Sequence, residues 1–225
     1  MGNYPGKLIT LEGPEGSGKT SQIPYLVDAV RREGYKVYAT REPGGTSIGE
    51  QIRGVLHDLK NVEMHPRTET LLYQAARAQN VEQVLIPRLE DGWLVFLDRY
   101  VDSTIAYQGY GHRQDVEVVH GLVDYATMGL MPDLTILLHV DAETGLKRKT
   151  AQSEWNRMDN QTLEFHKRVE EAYLLMARSE PQRWKIVNGR NSIEQVREDL
   201  IRTTLDVINN TWRGKEGGQI NRERG

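Results

Sequence analysis

The sequence predicts a three-layer α/β sandwich whose middle layer is a five-stranded parallel sheet, and three observations predict it. Five short β-rich segments, at residues 7–11, 36–40, 93–98, 134–140 and 184–187, alternate with stretches of helical length, the pattern of successive βα units. Several of these segments are apolar at consecutive positions, as in Val95-Phe96-Leu97 and Ile136-Leu137-Leu138. Such strands belong to a sheet with helices on both faces, because neither face meets water. A glycine-rich turn directly after the first segment then opens a helix.

In chain order, the helix after the first strand covers 21–33, where Ile23, Leu26, Val27 and Val30 form one apolar face and Gly34 supplies the C-terminal stop. The second strand runs into a Pro-Gly turn. A longer helix follows over 68–89, carrying Leu71, Leu72, Ala75, Ala76, Val81, Val84 and Leu85, and Pro87 is expected to bend or end it. Beyond the third strand, residues 116–127 read as a helix leading to the fourth. Residues 147–160, KRKTAQSEWNRMDN, are polar and begin basic, so they read as an exposed helix–turn or mobile flap. A helix over 163–177 and the last strand complete a single domain assigned to 1–208. From Asn209 periodicity is lost while Gly and charge accumulate, so 209–225 reads as a disordered tail.

A chain of 225 residues is long enough for one sizeable core. With 29 Lys+Arg against 32 Asp+Glu and a pI near 6.1, bulk charge gives no case for a nucleic-acid or anionic-membrane partner, so any anion site is local. No apolar run approaches the roughly 20 residues of a membrane span, and the N-terminus lacks a charged start followed by an apolar stretch. Zero Cys excludes disulfides, thiolate zinc sites and a Cys nucleophile, and fits a reducing compartment. The expectation is a soluble cytoplasmic protein. Six His, at 57, 65, 112, 120, 139 and 166, lack HxxxH or HExxH spacing and read as surface or core residues rather than metal ligands.

The glycine-rich turn is Gly13-Pro14-Glu15-Gly16-Ser17-Gly18-Lys19-Thr20, a match to GxxxxGK[ST] in the required strand–turn–helix context, with Ser21 continuing into the helix. Glycines let consecutive backbone N–H groups turn inward around phosphates at a helix N-terminus, where the macrodipole also favours anions. Lys19 is then expected to reach the β- and γ-phosphates of a triphosphate, and the Thr20 hydroxyl to hold Mg²⁺. Asp98 ends the apolar strand Leu94-Val95-Phe96-Leu97-Asp98, where a carboxylate beside the metal is needed; capping of the following helix is its plainer explanation.

Such a loop does not name the phosphoryl acceptor: water, a protein, a nucleotide or another metabolite all remain open at this point. Thr40-Arg41-Glu42-Pro43-Gly44-Gly45-Thr46 follows the second strand, at a carboxyl edge of the sheet where α/β ligands bind. Arg53 lies further on, and Arg99 follows Asp98. Tyr73 and Arg77 stand at i and i+4 and share a helix face, a pairing that suits a base through a π face and in-plane donors, and also suits plain packing. Ser103, Thr104, Tyr107 and Gln108 add hydroxyls and an amide able to read a polar edge.

LEGPEGSGKT, TREPGGT, LLYQAARAQ, LDRYVDSTIAYQG and MPDLTILLHVD, in this order and spacing, resemble the thymidylate kinase family of the bacterial type, over about residues 7 to 208. The resemblance implies a P-loop nucleoside-monophosphate-kinase-like fold, transfer of the ATP γ-phosphate to dTMP to give dTDP on the way to dTTP, Mg²⁺ and a homodimer. It implies that Glu15 faces the acceptor sugar and that Arg41, Arg53 and Arg99 hold the acceptor phosphate. It further implies that Tyr73 stacks on thymine, Arg77 binds O4, Thr104 touches the ring edge, and Tyr107, with Gln108 beside it, crowds out a ribose 2′-hydroxyl. Position 73, commonly Phe in the family, is Tyr here, and its hydroxyl needs a partner. An acidic residue at position 15 implies a catalytic cation drawn from the flap, with Arg148 ranked first, Arg157 second and Lys149 third. A water-using NTPase, a nucleotide-binding regulatory module and a kinase preferring dUMP or a deoxynucleoside are the alternatives.

Overall fold

The computed structural model describes residues 4–151 and 155–212. Its five strands are β1 (Lys7–Glu12), β2 (Val37–Arg41), β3 (Leu94–Asp98), β4 (Leu134–His139) and β5 (Trp184–Asn188), all parallel, in the order β2-β3-β1-β4-β5. Each lies within one residue of its expected bounds, since a short apolar run flanked by turns is a locally complete signal. The nine α-helices described are α1 (Lys19–Arg32), α2 (Ser47–His57), α3 (Pro66–Asn80), α4 (Ile86–Glu90), α5 (Val101–Thr104), α6 (Val116–Thr127), α7 (Ala142–Thr150), α8 (Leu163–Ser179) and α9 (Ile193–Val207).

The consecutive apolar residues of the strands divide between two cores, as burial on both sheet faces requires. Ile9, Leu11, Phe96, Ile136 and Leu138 pack against Leu26, Val27 and Val30 of α1 and Val196 and Leu200 of α9. On the other face Leu8, Val95 and Leu97 meet the long helical stretch after α3 together with α5 and α6, while Leu137 meets Phe165, Val169 and Tyr173 of α8.

Several expectations need correction. The long helix is not uniform: α3 ends at Asn80, a π-helical turn covers Val81–Leu85, and Pro87 sits in the first turn of α4, where its missing N–H is harmless, with the stretch closing three residues later at Glu90. The segment 147–160 is not an exposed turn throughout. Its first part is the end of α7, and Arg157, Met158 and Asp159 are buried because Arg157 pairs with the buried Glu69 of α3. The expected tail begins too early, since Ile208–Trp212 continues α9 as a π-helical turn and Trp212 packs on the core. The rest of that tail, 213–225, lies outside the described residues, as do positions 152–154 of the expected flap.

Two connections matter for function. The turn after β1 and the end of β3 lie side by side, because β1 and β3 pair with Leu11 opposite Asp98. The loop after β2 comes to the same edge, with Arg41 opposite Asp98.

Candidate active site

At this carboxyl edge a cavity of about 940 Å³ opens between the turn after β1, the loop after β2, helices α2 and α3, and the start of the flap. Its phosphate-loop end is built by close approach. Gly13, at φ 146°, leaves no room for a side chain against the Leu138 carbonyl, and a Cβ on Gly16, at φ 67°, would run into the carbonyl of Gly145. Gly145 belongs to α7 and itself abuts the Glu15 carbonyl, so this helix is seated directly on the loop.

Lys19 is buried and folds back on the turn, donating from Nζ to Gly13 O at 2.9 Å, Pro14 O at 3.0 Å and Ser17 Oγ at 2.9 Å. Burial and the nearby Arg99 push its ammonium down to about 8. Gly18 takes the left-handed conformation at φ 95°, Ser21 Oγ donates to its carbonyl, and both line the cavity. The Thr20 hydroxyl donates to Asp98 Oδ2 at 2.7 Å.

Arg99 forms the floor. Its φ of 66° is unusual for a residue with a Cβ, and three backbone bonds hold the stretch in place: Arg99 N–H to Leu11 O, Ser103 N–H to Tyr100 O, and Tyr100 N–H to the Glu12 carboxylate at 2.7 Å. The guanidinium donates to Glu15 Oε1 at 2.7 Å, Gly13 O, Ser103 Oγ and Tyr173 OH, and stacks over the Tyr107 ring. Tyr107 OH also donates to Glu15 Oε1, at 3.0 Å. Burial alone would raise the Glu15 carboxyl, but Arg99 and Lys19 hold it down at about 2. Behind them Glu12 accepts from Ser103 and Tyr173, and burial with the adjacent Asp102 raises it to about 7.

The other end of the cavity carries the residues expected to meet an acceptor. Arg77, 2% exposed, donates to Glu42 Oε2, Gln74 Oε1, Thr104 Oγ1 and Tyr100 O, and so ties α3 to the loops after β2 and β3. Arg41 pairs with Glu50 at 3.0 Å, Arg53 donates to Pro43 O at 2.9 Å, and Gln108 donates to Glu69. Tyr73 faces the same space, and its hydroxyl has no hydrogen-bond partner among the described residues.

The structure therefore gathers nearly all the expected residues around one cavity. Gly13 shapes the loop from below, and Arg148 stands outside the lining, donating to Gly189 O at 2.6 Å. Among the three flap cations, only Lys149 lines the cavity. Sequence reasoning missed His57, Trp155 and Asn156 as lining residues. Thr46 N-caps α2 by accepting from Gly49 N–H, and that capping signal was present in the sequence to place His57 one turn beyond Arg53.

A parallel sheet of order β2-β3-β1-β4-β5, with its phosphate loop leaving the central strand into the cavity that Arg41, Tyr73 and Arg77 also line, defines a P-loop kinase of the nucleoside-monophosphate class. A family model described as thymidylate kinase matches residues 11–200. The chain is 45% identical over 206 residues to a thymidylate kinase of Roseiflexus castenholzii, covering 86% of this chain and 90% of that one. It is 43% identical to one of Bacillus pumilus, with 90% and 97% covered. A crystal structure of thymidylate kinase from Ehrlichia chaffeensis matches with a TM-score of 0.72 at 29% identity, over 89% of this chain and 98% of that one. The chain belongs to the thymidylate kinase family.

Proposed function

We infer that this protein transfers the γ-phosphoryl group of ATP to dTMP, forming dTDP and ADP on the route to dTTP. The observation that carries the reading is one cavity with the Lys19 loop at one end and the Arg41–Arg53–Tyr73–Arg77 group at the other, joined by the Glu15–Arg99 pair.

Phosphoryl transfer asks little covalent chemistry of a protein: donor and acceptor must be aligned and their charge neutralised. The acceptor phosphate is already anionic, so no general base is required. In this reading Gly16, Ser17, Gly18, Lys19, Thr20 and Ser21 hold the ATP phosphates, and Lys19 exchanges its loop partners for phosphate oxygens. Arg41, Arg53 and Arg99 offset the repulsion between two polyanions. Tyr73 stacks on the base, Arg77 and Thr104 read its edge, and Tyr107 with Gln108 walls the sugar beside Glu15 and Ser103. The Thr20 hydroxyl and Asp98 carboxylate are hard oxygen donors in mutual contact, a set that fits Mg²⁺. When bound there, that ion would neutralise charge on the donor phosphates.

A homodimer is part of the proposal. Val118 and Tyr125 of α6 and Met128 just past its end are 59%, 87% and 73% exposed, and α3, which packs on α6, adds the exposed Leu71. An apolar surface of this kind fits a second copy of the chain. Among the described residues no helix is long and apolar enough to cross a membrane; a cytoplasmic setting matches the location of both substrates.

ADP formation measured with ATP alone and with ATP plus dTMP, dUMP, dCMP, dGMP or thymidine tests the assignment. Release that requires dTMP is expected. Equal release without an acceptor would make the protein a hydrolase instead.

A further inference from the structure

His57, a half-buried residue with no metal-ligand spacing in the sequence, lines the cavity. It stands at the last turn of α2, on the same helix face as Arg53. Neither ring nitrogen has a hydrogen-bond partner among the described residues. Burial and the neighbouring Arg53 push the imidazole down to about 4, so it is neutral at physiological pH and presents one donor and one acceptor.

Helix α2, which carries Arg53 and His57, packs on α3, which carries Tyr73 and Arg77, and this sets His57 in the half of the cavity away from Lys19. His57 and Tyr73 each lie in the field of Glu15, Arg99 and Arg157, and Tyr73 also acts on Arg53. The backbone at His57 is held as well, because Arg157 Nε donates to the carbonyl of the preceding Leu56 at 3.0 Å. A neutral ring on a fixed helix end, with guanidinium groups close by to take the phosphate, is left to read an uncharged polar group.

We propose that His57 is a specificity-determining residue, hydrogen-bonding an uncharged edge of the acceptor nucleotide, with the unpartnered hydroxyl of Tyr73 presented to the same edge. This rests on the assignment of that half of the cavity to dTMP. Two sources offer the chemistry, the base edge and the sugar 3′-hydroxyl. A site whose buried polar groups are left without partners by the wrong ligand discriminates more sharply than an apolar one.

The test is steady-state kinetics on the full chain and its His57→Leu, His57→Gln and Tyr73→Phe variants, varying dTMP, its 3′-deoxy analogue and ATP in turn. His57→Leu should raise KM for dTMP by roughly 3- to 10-fold, the size of a lost neutral hydrogen bond, with KM for ATP unchanged. His57→Gln, which keeps a donor and an acceptor, should recover most of the loss, and a merely structural role would not show that rescue. Tyr73→Phe, which keeps the stacking ring, should give a smaller rise in the same constant. If the His57→Leu penalty disappears with the 3′-deoxy analogue, the sugar hydroxyl is the partner; if it persists, the base edge is. An unchanged KM for dTMP in His57→Leu overturns the inference. A wild-type protein with no dTMP-dependent ADP release would instead overturn the assignment beneath it.

Discussion

The Thr20 hydroxyl donates to Asp98 Oδ2 at 2.7 Å, joining the first turn of α1 to the end of β3 across 78 residues of sequence. The contact follows from register. Leu11 pairs with Asp98, so the loop leaving β1 must turn over the end of β3. Both oxygens are hard donors, and Asp98 is buried where it lines the cavity.

Replacing Asp98 by Asn keeps the shape and the hydrogen bond but removes the charge. Turnover is expected to fall by roughly 10²-fold or more, the scale of losing one group that stabilises transferring charge, and the Mg²⁺ concentration for half-maximal activity should rise. A titration of activity against Mg²⁺ reads both. A variant with wild-type turnover and Mg²⁺ response would leave Asp98 as a plain cap.

Lys19 offers a pH test that does not depend on turnover. In the free protein its ammonium titrates near 8, lowered by burial and Arg99. Phosphates arriving at the loop favour the charged form and raise that value. Nucleotide binding near pH 8 should therefore take up about half a proton, and the uptake should fade toward pH 6, where Lys19 is already protonated. Calorimetry of ATP binding in buffers of different ionisation enthalpy measures it. Lys19→Met should abolish the uptake, and proton release at pH 8 would contradict the placement of Lys19.

The contrast between Lys19 and Arg157 explains what the sequence made legible. The phosphate loop is a local object: strand, glycines, lysine and helix are contiguous, and each strand carries its own apolar run. Arg157 is different. Its burial depends on Glu69, 88 residues earlier, so a basic stretch that reads as solvent-facing folds inward once its counter-charge is known. Helix α2 was overlooked for another reason. Gly49 and Gly54 weaken its helical pattern, although Gly49 has no room for a side chain beside Thr46 and Gly44. With α2 unseen, His57 had no face to belong to.

Arg77 is expected to matter for stability as well as for binding. Its guanidinium makes four hydrogen bonds, and its partner Glu42 is equally buried. Arg77→Ala would leave that carboxylate with Asn80 as its remaining side-chain partner. Stranding one member of a buried pair costs about 3–5 kcal/mol, which for a domain of this size is a fall in Tm on the order of 10 °C. Thermal unfolding followed by circular dichroism checks this. An unaltered Tm together with a raised KM for dTMP would assign Arg77 to substrate alone.

The flap cation is the last choice among three, and their surroundings separate them. The family resemblance ranks Arg148 first, yet its guanidinium donates to Gly189 O and stands outside the cavity lining. Arg157 is buried, with Nε donating to Leu56 O and Nη2 paired with Glu69. Lys149 lines the cavity, and its Nζ lies 3.9 Å from Asp159, a carboxyl raised to about 6 by burial and Glu15. That is a weak tether, from which an ammonium can swing toward a transferring phosphoryl group. Helix α7 is meanwhile seated on the phosphate loop through Gly145, which fixes the base of the Lys149 side chain relative to ATP. Lys149→Ala is therefore expected to lower kcat by roughly 10²-fold with small changes in either KM. Arg148→Ala should act on KM for ATP, and Arg157→Ala should act mainly on stability, since it removes the arginine partner of the buried Glu69 and leaves that carboxylate with Gln108 and His112. Steady-state assays that vary ATP and dTMP in turn, paired with thermal unfolding of each variant, distinguish the three. A dominant loss of kcat at Arg148, with Lys149→Ala mild, would mean that α7 rotates on closure to exchange one cation for the other.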